Sequence, residues 1–452
     1  MPLTTERQKI RHLLRRTGFG ASPAEVEQYV ALGLTGAVER LLSPDSVDDS
    51  TTDSILTTLR IEAQQERQAL LTLWHARIAL TQRPLLEKLT YFWHDHFATG
   101  MNKVNNNSFM LVQNETLRAG ALGGFRDLLL AVTRDPAMMV WLDNRQNVAG
   151  APNENYAREM MELFSLGEGV AYTERDIKES ARALTGWRVI AEKRDPKDNN
   201  PYPTGVVITP RQHDDGRKTF LGLTGRWGDT DIVRIITERP ECAAYIGRKL
   251  WQFFAVPNPT DEMIARTSAA YFSNDTSIRA MVRTILLSDE MYSPAAYRWR
   301  IQSPVEYVLG TFRTLGMTER VLKGVRDTQG MGQTLFSPPN VAGWPGGEAW
   351  INSNTILARA NFASNVTRIS RPGESIDVAA MLQAAGKTRT AAEVVDYLLD
   401  VIVGGDVDPQ TRTLLIEHIG GSNHFDFAQA TKAGTLQGVL YLILTMPLAH
   451  LA

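Results

Sequence analysis

A mainly α fold, a multi-helical single body with a small β-hairpin excursion near residues 186–229, is what this 452-residue sequence predicts. Three observations carry that expectation. Apolar residues recur with a helical period along most of the chain, and Ser, Thr and Pro stand where helices would begin. Short β-prone runs separated by Pro, Asn and Asp-Gly are confined to one stretch. No internal repeat and no low-complexity linker divides the chain. A length that allows about three domains at ~150 residues each therefore reads as one domain over 1–452.

The elements follow in order. Ile10, Leu13 and Leu14 share one face of a helix over 5–16, which Gly18 and Gly20 stop. Ser22-Pro23-Ala24-Glu25 reads as a capping box with proline at the first helical position, so a helix begins there. Helical periodicity resumes over 61–79, 84–97, 108–119, 125–133, 153–166 and 173–185. Within 186–229 three β-prone runs begin at Gly186, Gly205 and Lys218, and Asp215-Gly216 is the expected tight turn. Helices return over 230–237, 240–254, 260–272, 275–287 and 304–315. A Gly-, Pro- and Trp-rich loop fills 337–354, longer than most connections and for that reason a functional candidate. Beyond it 391–403 and 425–446 are the clearest helices.

Composition excludes several classes. Lys plus Arg number 48 against 50 Asp plus Glu, a net charge of -2 with both signs scattered, so no basic face for nucleic acid is expected. The one cysteine, Cys242, rules out an internal disulfide framework and reads as a buried hydrophobe on a helix. Charges at the N-terminus stand where an export signal would be apolar, so a cytoplasmic protein is expected. The longest apolar run, ending at Met446, is about half of the ~20 residues that span a bilayer, so no membrane is expected. The phosphate loop, the nucleophile elbow, His-Glu-x-x-His and the Glu-x-x-His pair of di-iron bundles do not occur.

Four segments concentrate chemistry. Two of the eight histidines, His94 and His96, lie among aromatics near the end of the 84–97 helix. Residues two apart point about 200° away from each other on a helix, which opposes chelation of one metal by both. One can be a core histidine and the other hydrogen-bonded to Glu87, or one can line a pocket as acid, base or ligand. On the 153–166 helix, Asn155, Arg158, Glu159 and Glu162 fall opposite the apolar stripe of Tyr156, Met160 and Phe164. The two carboxylates can divide acid and base roles or bind a divalent cation; the alternative is a solvated face with an Arg158 to Glu162 pair. His213 and Lys218 flank the Asp215-Gly216 turn, either as turn geometry or as part of a polar site. Asn340, Trp344, Trp350, Asn352 and Asn354 in the long loop suit a polyhydroxylated ligand, or a loop packed on the core with its Asn side chains bonding backbone.

Six segments, 11–20, 92–97, 153–167, 183–187, 213–222 and 338–347, in order along nearly the whole chain, resemble the large bacterial family called domain of unknown function 1800. The resemblance implies a predominantly helical protein and raises the standing of residues inside those segments: His94, His96, Asn153, Arg158, Glu159, Glu162, Trp187, His213, Lys218, Asn340 and Trp344. It also implies a partner, since many relatives are encoded near proteins of the domain of unknown function 1501 family, which resembles phosphatases and sulfatases. Many relatives carry an export signal, and this sequence departs from them there. The expectation is an enzyme-like protein with a polar cleft, a hydrolase or transferase on a polar or sugar-like small ligand. Glu159 or Glu162 serves with His94 or His213 as acid and base, metal-assisted by a divalent ion at His94 and His96 if any. Asn153, Asn155, Arg158, Lys218, Trp187, Asn340, Trp344, Trp350 and Asn352 bind. The alternatives are a non-catalytic accessory or scaffold protein partnering the phosphatase/sulfatase-like family, and a glycan-binding module.

Overall fold

A computed structural model describes residues 3–191, 204–368, 375–421 and 425–452. Twenty-four α-helices and two separate antiparallel two-stranded sheets occupy these residues, so the protein is mainly α with a small β excursion. No helix among the described residues is long and apolar enough to cross a membrane.

The apolar stripes pack into two hydrophobic clusters. One gathers Leu89, Phe92, Trp93, Phe97, Met160, Phe164, Leu250 and Ile285. The other gathers Leu70, Trp74, Tyr91, Tyr307, Phe312, Phe362, Leu398 and Leu440. The helix Pro84–His96 contributes to both, and Phe253 of the helix Pro240–Phe254 packs against both. Phe92 meets Phe253 at a ring separation of 5.0 Å. Cys242 is buried, and that burial pushes its thiol up to about 12, in keeping with a small hydrophobe.

Pro84–His96 is buried on nearly every side, yet it carries adjacent opposite charges, Glu87 and Lys88, both at most 2% exposed. Each finds partners on its own side. Glu87 accepts from the Arg118 guanidinium and from the Trp74 indole at 3.1 Å. Lys88 donates to Glu306 and to the Gly18 carbonyl at 2.9 Å, and Glu306 also accepts from Arg300. Burial opposes charge on all of them, so the pairing is what makes these ions tolerable inside.

The structure differs from the sequence reading at several boundaries. The helix read over 61–79 is two, Ser50–Ala63 and Arg67–Leu80, because the polar Gln64-Gln65-Glu66 run makes the corner where the chain reverses. The segment read over 425–446 breaks into Phe427–Ala433 and Thr435–Thr445, where Gly434 turns left-handed at φ 72°. Ser22 caps its helix through the Glu25 N–H at 3.2 Å, but the Glu25 carboxylate bonds Arg313 at 2.7 Å instead of reaching back. Trp187–Ala191 pairs with Thr204–Ile208, while Lys218–Phe220 pairs with Leu223–Gly225. The second hairpin therefore turns at Leu221-Gly222, both with positive φ as a tight twisted turn requires, and not at Asp215-Gly216. Residues 192–203 of the excursion lie outside the described residues.

Replacing Glu306 with Gln leaves Lys88 and Arg300 without their carboxylate in the interior. The variant is expected to lose about 3–5 kcal/mol of stability, read as a fall in the urea midpoint; an unchanged midpoint contradicts the role given to this pair.

Candidate functional site

The C-terminal turn of Pro84–His96 sends three consecutive side chains to three different neighbours. His94 accepts the Phe336 N–H on Nε2 at 3.1 Å and lies edge-on to Trp74, with 5.0 Å between ring centroids. Burial pulls its pKa down to about 3, so it is a neutral core imidazole. His96 donates from Nε2 to the Phe164 carbonyl at 3.0 Å, and burial, with Lys249 adding to it, holds it well below the usual histidine range. The two imidazoles thus serve different backbone groups and are not gathered on one ion. Among the described residues no group of three or more His, Cys, Asp or Glu side chains could hold a metal ion.

Asp95, between them, is partly exposed. Its Oδ1 accepts the Trp344 N–H at 2.8 Å. The long loop can come this close only because residue 343 is glycine: a Cβ there, at φ +86°, would lie 2.3 Å from that same oxygen. The charged neighbour of Asp95 is Lys249, on the helix Pro240–Phe254. Its register with Pro84–His96 follows from the Phe92 to Phe253 contact, because Lys249 lies one turn before Phe253 and Asp95 about one turn after Phe92. The Lys249 ammonium sits 5.5 Å from the Tyr245 ring centroid and takes no hydrogen bond among the described residues. Burial raises Asp95 to about 6, against the Trp344 N–H and the Lys249 charge. Burial likewise lowers Lys249 to about 8, against the attraction of Asp95.

Tyr245 links Lys249 to the next segment. Its hydroxyl donates to the Leu163 carbonyl at 2.9 Å, just past the helix Asn155–Glu162. There Arg158 is held by Glu174 through two 2.8 Å hydrogen bonds, and by Glu162 and Glu154 at 3.3 and 3.4 Å. These carboxylates, Glu174 first, raise its already high pKa. Glu162 is thereby tied up in an ion-pair cluster. Glu159 is partly buried and takes no hydrogen bond among the described residues; burial, then Glu162, raises its pKa.

The remaining residues singled out from the sequence, Trp344 aside, lie apart from Asp95 and Lys249 and make local contacts. Asn153 accepts the Asn155 N–H at 2.9 Å and forms a local turn, leaving Asn155 exposed. His213 donates from Nδ1 to the Thr185 carbonyl at 2.9 Å. Lys218, 1% exposed, donates to the Asp214 and Gly216 carbonyls and closes the loop between the sheets. Trp187 is buried beneath the Arg134 guanidinium at 5.1 Å. Trp350 is buried, and Asn352 caps the helix Ser353–Thr367 through the Asn354 and Thr355 N–H groups at 3.0 Å. Asn340 accepts the Ala342 N–H at 2.8 Å. Trp344 alone of the tryptophans named in the sequence reading lies beside Asp95, partly exposed and with its ring centroid 5.8 Å from that of His94.

The structure therefore brings together the 92–97, 153–167 and 338–347 segments around Asp95 and Lys249, and sets the 213–222 segment to another task. Sequence reasoning passed over both central residues. Asp95 stood between two more conspicuous histidines, and Lys249 looked like one more solvated position on an amphipathic helix. The available signal was the i, i+4 row of Tyr245, Lys249 and Phe253, a cation framed by aromatics.

A family profile described as Protein of unknown function (DUF1800) matches residues 12–449, so the chain belongs to that family. No curated protein and no solved structure matches it.

Because each charge of the couple holds the other up, Asp95→Asn should move the Lys249 titration below about 8, and Lys249→Met should move Asp95 above about 6. Side-chain NMR titrations of the two variants measure this, and independent titrations in the two would contradict the pairing. The sign for stability follows: a carboxylate raised in the native state makes its ionisation a cost above pH about 6, and that cost fades as pH falls toward the ordinary carboxylate value.

Proposed function

We propose that this member of the DUF1800 family is an acid–base enzyme, a hydrolase or transferase, that acts on a polar, sugar-like substrate at Asp95 and Lys249. The observation that supports it is the juxtaposition itself: an ammonium without a hydrogen-bond partner faces a carboxylate, in a partly open site where three of the family-like segments meet. Buried ion pairs that serve stability alone are closed by direct contact, as Lys88 and Glu306 are. In this reading Asp95 is ionised and Lys249 protonated between pH about 6 and about 8. Asp95 then takes a proton from an attacking hydroxyl or water, and Lys249 gives one to the leaving oxygen. Trp344 offers a flat face to the C–H side of a ring, and Glu159, whose carboxylate is unengaged, binds substrate hydroxyls.

A second reading, a non-catalytic accessory protein for a phosphatase/sulfatase-like partner, is favoured by a different observation. Arg158 and Lys218 are engaged within the chain and His94 takes a backbone N–H, as structural residues would be.

A panel of p-nitrophenyl glycosides and esters, assayed with the purified chain and with Asp95→Asn and Lys249→Met, separates the two. The enzyme reading expects turnover with a bell-shaped pH profile whose limbs fall near 6 and 8. It also expects a loss of about 10²–10⁴-fold in kcat in either variant at unchanged melting temperature. Turnover that survives both substitutions, or none on any substrate alongside retained partner binding by both variants, overturns it in favour of the accessory reading.

A further inference from the structure

The 11–20 segment takes no part in the acid–base site, although it is one of the six that carry the family likeness. It lines a cleft of about 80 Å³ that opens to solvent between the helices Glu6–Thr17 and Pro304–Leu315, room for a small ion.

The charge on this cleft is one-sided. Arg11, Arg15 and Lys88 line it, and Glu306 is the one carboxylate side chain among its described lining residues. Glu306 is already saturated: one oxygen takes Lys88 and Arg300, and the other takes the Ser303 N–H at 2.9 Å. Arg11 is matched by Asp400, though its Nε is buried without a partner. Arg15 has no carboxylate partner among the described residues; Tyr297 is its polar neighbour, and Arg298 and Arg11 stand nearby as like charges. Just behind the wall, fully buried Arg16 donates to the carbonyls of Phe253 and Phe254 and to a terminal oxygen of the lining residue Ala452, whose charge offsets it. Charge gathered this way costs the folded state free energy unless something negative joins it.

Neutral donors stand beside the cations. The 18–21 loop lies directly on the Pro304–Leu315 helix, where a Cβ on Gly310 would meet the Phe19 carbonyl at 2.8 Å. The N–H groups of Phe19, Gly20 and Ala21 take no hydrogen bond among the described residues, and neither does the Thr314 hydroxyl, which abuts Gly20. A fork of guanidinium N–H groups, a hydroxyl and free backbone N–H groups around one space match the acceptor oxygens of a tetrahedral oxyanion.

We infer that this cleft is a binding site for a phosphate- or sulfate-type oxyanion, free or borne by a small molecule, with Arg15 as its principal cation and Thr314 and the 18–21 loop as neutral donors. The inference rests on residues that the acid–base reading does not use, so either can fail without the other.

The test titrates the full chain with inorganic phosphate and, separately, sodium sulfate by thermal shift and calorimetry, at ionic strength held constant with sodium chloride. The expected result is a saturable rise in melting temperature that grows with the logarithm of phosphate or sulfate above its Kd, with chloride alone inactive. Arg15→Gln should weaken binding at least tenfold, Thr314→Val should weaken it less, and Arg15→Lys should recover part of it. The lysine and valine variants keep the test decisive if Arg15→Gln is unstable. A wild-type chain that responds to neither oxyanion beyond the chloride control, or variants that bind as tightly as wild type, would overturn the inference.

Discussion

A helix that is enclosed on all sides and still carries ions must have its counter-charges supplied from different directions, and that constraint organises this protein. Pro84–His96 places Glu87 and Lys88 side by side in the interior. Adjacent helical positions diverge by about 100°, so one partner cannot serve both. Glu87 draws Arg118 from the helix Asn107–Gly120 and the indole of Trp74, while Lys88 draws Glu306 from Pro304–Leu315 and a carbonyl at the end of Glu6–Thr17. Four elements distant in sequence are thereby fixed around one axis. Its apolar residues meanwhile divide between the two hydrophobic clusters, so the same helix that satisfies the charges joins the cores.

The positions that look chemical in the sequence owe much of their pattern to the same constraint. A histidine inside such a core has to be neutral and hydrogen-bonded, and His94 and His96 meet that demand with one backbone N–H and one backbone carbonyl. Arg158 meets it at the surface by collecting three carboxylates, and Lys218 by bonding two carbonyls of its own loop. A residue can therefore lie in a segment typical of the family because it closes a loop or satisfies a buried group. Asp95 and Lys249 are different in kind. Both are partly exposed and each feels the other's charge, and Lys249 takes no hydrogen bond among the described residues, so packing alone leaves its charge unexplained.

The contrast sets the limit of what was legible beforehand. Helix period and capping residues are local signals, so the helical class and most helices could be read, as could the position of the β excursion. Boundaries depended on what the chain meets afterwards: Glu25 abandons its capping role because Arg313 arrives from nearly three hundred residues away. The hairpin turn went to Leu221-Gly222 because the first strand of that hairpin begins only at Lys218, which places Asp215-Gly216 in the connection before it. The site was harder still. Asp95 and Lys249 are 154 positions apart, and their register depends on Phe92 meeting Phe253. No spacing rule relates them, because the relation is made by side chains of two separate helices that meet at Phe92 and Phe253.

That meeting also relates the Asp95 and Lys249 pair to the cationic cleft. Lys88 and Asp95 are seven residues apart, two helical turns and about 10 Å, and lie on nearly the same face of Pro84–His96. Phe253 spans the interval: its ring lies 5.7 Å from the Lys88 ammonium and packs on Phe92, while Lys249, one turn earlier on the same helix, faces Asp95. A sideways shift of Pro240–Phe254 would alter the Asp95 to Lys249 separation and the setting of Lys88 together. Such a shift meets resistance, because Arg16 grips the Phe253 and Phe254 carbonyls at 2.8 Å from within the Glu6–Thr17 helix that forms the cleft wall. The Arg16 contacts thus tie the wall of the cleft to the end of the helix that carries Lys249.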